Sequence, residues 1–147
     1  MWRMSVAVVT LVLGAGCGQP EVVVPEVLSI VSVLPAHGSI DIGPSVEALV
    51  YFSAPVKDAA AAAADVSLDC LGRAPCETAA VQGCPGASAT VAVTTTLEVN
   101  QVVHLKPDAA LAADTCYVIA IGAGIEAATS DVGPLPIEVR SSFQVRP

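Results

Sequence analysis

Residues 46–53 read Val-Glu-Ala-Leu-Val-Tyr-Phe-Ser, and this stretch decides the fold. Its even positions are all apolar, so an extended chain would carry them on one face. The same period of two recurs at residues 89–94, 103–106, 116–121 and 142–146, between interruptions by Pro, Gly, Asn or Asp. Alternation of this kind is typical of antiparallel strands that bury one side. The chain is therefore predicted to be all-β, with its strands in a two-sheet sandwich.

Residues 58–65 are the one stretch that departs from this pattern, with six alanines between two aspartates. Alanine is the strongest helix former, and Asp58 can cap a helix at its N-terminus. Six residues cannot sustain an isolated helix, because nucleation is costly in segments shorter than about 12 residues. We expect a turn or two of helix bridging two strands.

The N-terminus has the features of an export signal that ends in a cysteine. Arg3 supplies a positive charge, an apolar run follows to Leu13, and small residues lead to Cys17. This arrangement resembles a bacterial lipoprotein signal, which implies cleavage after residue 16 and lipid on Cys17. It departs from the usual pattern because Gly14, rather than a large aliphatic residue, stands three places before the cysteine. An ordinary secretory signal that leaves Cys17 as a spare thiol is the alternative.

The expected domain order is a signal peptide at 1–16, a lipidated tether at 17–26 and one sandwich domain at 27–147. Pro20 and Pro25 favour an extended tether. Between them, residues 22–24 are three valines, here called the valine segment, which could add an edge strand. Gly18 follows the cysteine, where an Asp would indicate inner-membrane retention, so the resemblance favours an outer-membrane lipoprotein in the cell envelope.

The composition argues against several classes of partner. The formal net charge is −8, which disfavours nucleic acid and anionic membrane surfaces as ligands. After cleavage the aromatic side chains are two tyrosines and two phenylalanines, too few to supply both a core and a sugar-stacking face. Two partners remain: the membrane, which the chain would reach through lipid on Cys17, and an envelope protein.

Four motifs, in the order expected for one family, carry a second resemblance. Residues 32–44 read SVLPAHGSIDIGP, 50–56 read VYFSAPV, 105–119 read LKPDAALAADTCYVI, and Ser142 and Phe143 begin the last match. Together they resemble bacterial Ig-like domains of the SbsA type. The chain departs at residues 127–135, where the family's Asp-x-x-Gly-Asn turn lacks its Asn. The resemblance implies an Ig-like sandwich of about seven strands, used as a spacer or adhesion module without catalytic residues.

Two predictions concern side chains of the domain itself. Phe52, Tyr117 and Phe143 are expected in the core, with the Tyr117 hydroxyl bonded back to a nearby loop as in a tyrosine corner. The remaining cysteines, Cys70, Cys76, Cys84 and Cys116, are even in number and lack zinc-site spacing, which predicts two disulfides in an exported chain. Three connectivities are possible, and we favour Cys70–Cys116 with Cys76–Cys84.

No catalytic, metal or cofactor motif stands out. His37 and His104 are the only side chains with an unperturbed pKa suited to a general base. The acidic residues lack the spacing of a calcium loop. A non-catalytic structural or interaction module is the leading hypothesis. The alternatives are a small-ligand or Ca²⁺-binding protein using loops around Asp131, and an accessory subunit that donates the valine segment to a partner's sheet edge.

Overall fold

A computed structural model describes residues 26–73, 75–76, 84 and 89–147. The predicted signal peptide, Cys17 and the valine segment therefore lie outside the described residues, as does most of the loop that carries Cys76 and Cys84.

The described chain forms eight strands and one short helix. In chain order they are β1 (Ile30–Leu34), β2 (Ser39–Ile42), β3 (Ala48–Phe52), α1 (Ala59–Ala64), β4 (Val66–Arg73), β5 (Val93–Glu98), β6 (Val102–Pro107), β7 (Thr115–Ile121) and β8 (Val139–Val145).

The strands form two four-stranded sheets, ordered β1-β3-β6-β5 and β2-β8-β7-β4. All paired strands are antiparallel except β2 and β8, which are parallel. These orders match the ABED and CFG sheets of an immunoglobulin-type sandwich, with β2 added beside the last strand. The predicted all-β, Ig-like sandwich is confirmed. It has eight strands rather than seven because the first is divided, β1 pairing in one sheet and β2 in the other.

One core lies between the sheets, and alternation along the strands selects the side chains that enter it. In β3, Ala48, Val50 and Phe52 are buried, while the residues between them are partly exposed. The apolar positions of β4, β6 and β8 alternate in the same way. The rings of Tyr117 and Phe143 stack, with centroids 5.9 Å apart.

The alanine-rich stretch forms α1, between β3 and β4. The Asp58 carboxylate accepts hydrogen bonds from the backbone N–H groups of Ala60 and Ala61, at 2.9 and 3.0 Å. Only Ala62 is buried, so one side of this short helix contacts the core. The predicted bridging helix and its cap are confirmed.

The structure has two disulfides, but the favoured pairing was wrong. Cys70 is bonded to Cys84 and Cys76 to Cys116. β4 and β7 are neighbours in one sheet, with Cys70 opposite Tyr117. Both of those side chains enter the core, so Cys116, next to Tyr117 in β7, points to the other face. A Cys70–Cys116 bond would have to pass through the sheet, which its short geometry forbids.

Candidate functional site

The three aromatic residues predicted for the core are buried there. Phe52, Tyr117 and Phe143 are each 1% exposed. The Tyr117 hydroxyl accepts a hydrogen bond of 2.9 Å from the backbone N–H of Ala112, five residues upstream. Burial raises the pKa of Tyr117, and this hydrogen bond opposes the rise. The hydroxyl therefore fastens the loop before β7 and is inaccessible to a ligand.

His104 lies on the outer face of its sheet, between two carboxylates. Its Nδ1 is 2.8 Å from Oε1 of Glu47, and its Nε2 is 3.3 Å from Oε2 of Glu98. An imidazolium can donate to both carboxylates, whereas a neutral ring can donate to only one. The ring links β6 to β5 and to the residue before β3, which is a contact between strands.

His37 belongs to the turn that carries the chain from β1 to β2. Its Nδ1 accepts a hydrogen bond of 3.1 Å from the backbone N–H of Ser142, and the Ser142 hydroxyl lies 3.3 Å from the same nitrogen. A nucleophilic serine would need that nitrogen as its base, but the backbone N–H already occupies it. His37 thus replaces a strand partner at the edge of β8.

One alternative hypothesis was a calcium site around Asp131. The Asp131 side chain is exposed and lies in the loop before β8. Within the described part of the chain, no group of three or more His, Cys, Asp or Glu side chains is placed to hold a metal ion. No helix among the described residues has the length and apolar character needed to cross a membrane.

The candidate site is a groove on one flank of the sandwich, here called the flank groove. One wall is the chain from Val27 to Val33, and the other runs from Leu135 to Ser141. Its volume is about 580 Å³. Most of the side chains that line it are aliphatic: Val27, Leu28, Ile30, Val31, Val33, Leu135, Ile137 and Val139. His37, Arg140 and several serines supply its polar groups.

The groove exists because the first strand changes sheets. β1 pairs with β3 on one side and has no second strand partner among the described residues. β2 is in register with β8 at Phe143 and Val145, so the first residues of β8 have no strand partner on this flank within the described part of the chain. Two open strand edges, one from each sheet, therefore border the same groove.

Large aliphatic side chains are left in solvent along this groove. Val31 is 68% exposed, Ile137 66% and Val27 41%. Exposed aliphatic side chains that line one groove make it the candidate interaction surface among the described residues. Sequence reasoning missed the groove, although residues 30–34 carried a signal. They read IVSVL, so a strand formed by them has aliphatic residues on both faces. A strand that buries only one face would normally be polar on the other.

Comparison with curated proteins gives no match. Among solved structures, the fold is similar to that of PcoC, a methionine-rich copper resistance protein from Escherichia coli. The TM-score is 0.57, with 16% identity over 82% of this chain and 99% of that chain. An L,D-transpeptidase from Mycobacterium smegmatis is similar over 81% of this chain, with a TM-score of 0.50 and 17% identity.

The present chain spans only 40% of that transpeptidase chain. At these identities both similarities concern the fold alone. The family model described as a bacterial Ig-like domain matches residues 25–145, which include every strand of both sheets. The chain therefore belongs to the family of bacterial Ig-like domains.

Proposed function

We propose that this chain is a non-catalytic, lipid-anchored protein of the bacterial cell envelope, whose Ig-like domain acts as a spacer or protein-interaction module. The observation that carries the proposal is that the model of the bacterial Ig-like family matches residues 25–145, after a short tether that follows a sequence resembling an export signal ending in Cys17. Family membership supports the module, and the sequence before Cys17 supports the anchor.

The tether gives the spacer a limited reach. Nine residues, 17–25, separate the predicted lipid from the first described residue. Fully extended, they span about 30 Å. The domain would thus stay close to the membrane. Two or three acyl chains on Cys17 would hold it there far more firmly than one chain.

Copper binding does not transfer from PcoC to this chain. PcoC is a methionine-rich protein, whereas this chain has two methionines, Met1 and Met4, both within the predicted signal peptide. Calcium binding around Asp131 remains a candidate that thermal unfolding in the presence of millimolar CaCl₂ would test. A rise in melting temperature would favour it.

The anchor is tested by expressing the full chain with its own N-terminus in a Gram-negative host and measuring intact mass after detergent extraction. We expect a chain that starts at Cys17 and carries diacylglyceryl and acyl groups, recovered with the membranes. Cys17→Ala should remove the added mass and the membrane recovery together. A wild-type chain without acyl mass, recovered in the soluble fraction, would overturn the anchor and leave a secreted domain.

The role of the module is tested separately, by cross-linking on intact cells. A defined envelope protein cross-linked to the wild-type domain would favour the interaction role. Comparison with a chain that carries serines in place of the valine segment would then show whether this segment is the part donated to the partner.

A further inference from the structure

We propose that the flank groove is the face that the domain turns toward the membrane, so that its aliphatic rim rests on the boundary between headgroups and acyl chains. The proposal deepens the spacer function and rests on the lipid anchor proposed at Cys17. The occupant of this flank is a lipid surface, and no partner protein is needed. Because β1 borders the groove along its length, the strand would then lie along the membrane instead of standing away from it.

The point where the tether enters the domain is the first argument. Glu26 is the first described residue, and Val27, which follows it, already lines the groove. Gly133 fixes this entry, since its N–H donates to the Glu26 carbonyl and its carbonyl accepts from the Leu28 N–H, both at 2.8 Å. Residues 17–25 reach at most about 30 Å. Lipid on Cys17 would therefore hold this end of the groove close to the bilayer.

The aliphatic rim of the groove is the second argument. The exposed side chains there, Val27, Val31 and Ile137, carry no charge. Exposed apolar patches of proteins mark contacts with other proteins or with membranes. Aliphatic side chains that pass from water into the boundary region of a bilayer are stabilised in proportion to the apolar area that they bury.

The open strand edges beside the groove limit the depth of this contact. Within the described residues, β1 and the first residues of β8 have no strand partner on this flank, so their outward backbone groups need water. The hydrocarbon core of a bilayer cannot supply that water. The flank is therefore expected at the level of the headgroups, with only the side chains of the rim reaching the acyl chains.

The distribution of charge is the third argument. The groove wall at residues 27–33 has no ionisable side chain, and on the other wall Arg140 and Glu138 form an ion pair of 3.2 Å. Of the chain's 14 acidic residues, only Glu138 belongs to these two walls. Anionic lipids repel the acidic faces of the domain more strongly than this neutral one. The groove is thus the face that electrostatics favours at a bilayer.

A strand from a partner protein is the less favoured occupant. Such a strand could pair with the open edge of β1. A partner protein must be captured from solution, however, whereas the tether holds the bilayer beside the groove and so raises its effective concentration there. The bilayer is therefore the occupant that the attachment of the chain favours.

The test places tryptophan at the groove and measures its contact with lipid. The mature chain, residues 17–147, has no tryptophan, because Trp2 lies in the predicted signal peptide. Cys17 is the one cysteine outside the two disulfides, so its thiol can be coupled to a maleimide-bearing lipid in phosphatidylcholine vesicles. We expect Val31→Trp and Ile137→Trp, in separate chains, to be quenched after coupling by acyl chains brominated near the headgroup.

Val99→Trp is the matched control. Val99 is 78% exposed and lies in the β5–β6 turn, across the sheet from β1. This turn is nonetheless at the tether's end of the strands, since the adjoining N–H groups of Phe52 and Ser53 donate to the carbonyls of Gln101 and Ser29. We expect quenching at positions 31 and 137 to be at least twice that at position 99.

Two results would overturn the proposal. Equal quenching at positions 31 and 99 would mean that the domain turns freely on its tether. Absence of quenching at positions 31 and 137 in the coupled chain would leave the groove to a protein partner. The maleimide supplies the attachment, so neither result depends on lipidation in the cell. Failure of the proposed anchor would appear separately, in the intact mass of the membrane-extracted chain.

Discussion

Tyr117 links a buried ring to a hydroxyl that holds the loop before β7, and its ionisation should be visible in the stability of the fold. Burial raises its pKa in the folded chain, whereas an unfolded tyrosine ionises near pH 10. The stabilisation that it gives is therefore complete below about pH 10 and is lost as pH rises through the folded pKa. We expect Tyr117→Phe to reduce the fall in unfolding free energy between pH 9 and 11.

At pH 7 the same variant should lose about 1 kcal/mol, because the hydroxyl no longer accepts from Ala112 N–H. Urea unfolding at each pH measures both effects. Tyr51→Phe is the control, since Tyr51 lies outside the buried core of β3, and it should keep the parent's alkaline decline. An equal decline in Tyr117→Phe would contradict the assignment.

Val99 occupies a backbone conformation that suits other residues better. The turn between β5 and β6 has φ values of 45° at Val99 and 54° at Asn100, the two positive values of a type I′ hairpin turn. A β-branched residue is strained there, and its exposed side chain gains little packing in return. Val99→Asn should raise the free energy of unfolding by about 1 kcal/mol, measured by urea denaturation. Thr96→Asn, on the exposed face of β5, is the control and should not raise the free energy of unfolding. An equal rise in both variants would show that strain in the turn is not the cause.

At the scale of whole strands, Cys70 and Cys116 lie on opposite faces of one sheet. Alternation in β4 places Cys70 with Val66 and Leu68 on the inner side, and alternation in β7 places Cys116 on the outer side. The period of two at residues 116–121 predicted the outward position of Cys116, but it was not applied to Cys70. It could not predict that β4 and β7 are neighbours in one sheet, because pairing between distant strands is not a local property. The favoured bridge failed for that reason.

The disulfide pairing has a direct test in peptide mapping without reduction. Cleavage after Arg73, Glu77 and Glu98 places the four cysteines on four separate peptides. We expect the peptide with Cys70 to be linked to that with Cys84, and the peptide with Cys76 to that with Cys116. On the loop-entropy account, the two bridges stabilise the fold by about 3 and 4 kcal/mol. Any other linkage would contradict the two observed bridges.

For the molecule as a whole, the sequence predicted the class and the layers better than the site. The alternation at residues 46–53 and in the later strands predicted a two-sheet sandwich, and four motifs in order carried the resemblance to Ig-like domains. The flank groove was not predicted, because it depends on where the chain crosses from one sheet to the other. Val31 and Ile137 are 106 positions apart and become neighbours on the groove only through that crossing.

Because the two sheets share one core, they should unfold together. Leu105 in β6 and Leu68 in β4 belong to different sheets and are both almost fully buried. Each Leu→Ala change should cost about 2–5 kcal/mol, a large part of the total of about 5–15 kcal/mol expected for such a domain. Thr96→Ala, on an exposed strand face, should stay within about 0.5 kcal/mol of the parent.

The decisive measurement is whether a substitution in one sheet lowers the urea midpoint of the other sheet. In a Tyr51→Phe background of the mature chain, Tyr117 fluorescence follows the sheet that contains β7, while far-UV circular dichroism follows both sheets. Leu105→Ala should shift both urea transitions by the same amount, since neither sheet can bury its inner face alone. A fluorescence midpoint that stays at the parent's value while the dichroism midpoint falls would mean that the sheet containing β7 is stable without its partner. The domain would then not unfold as a single unit.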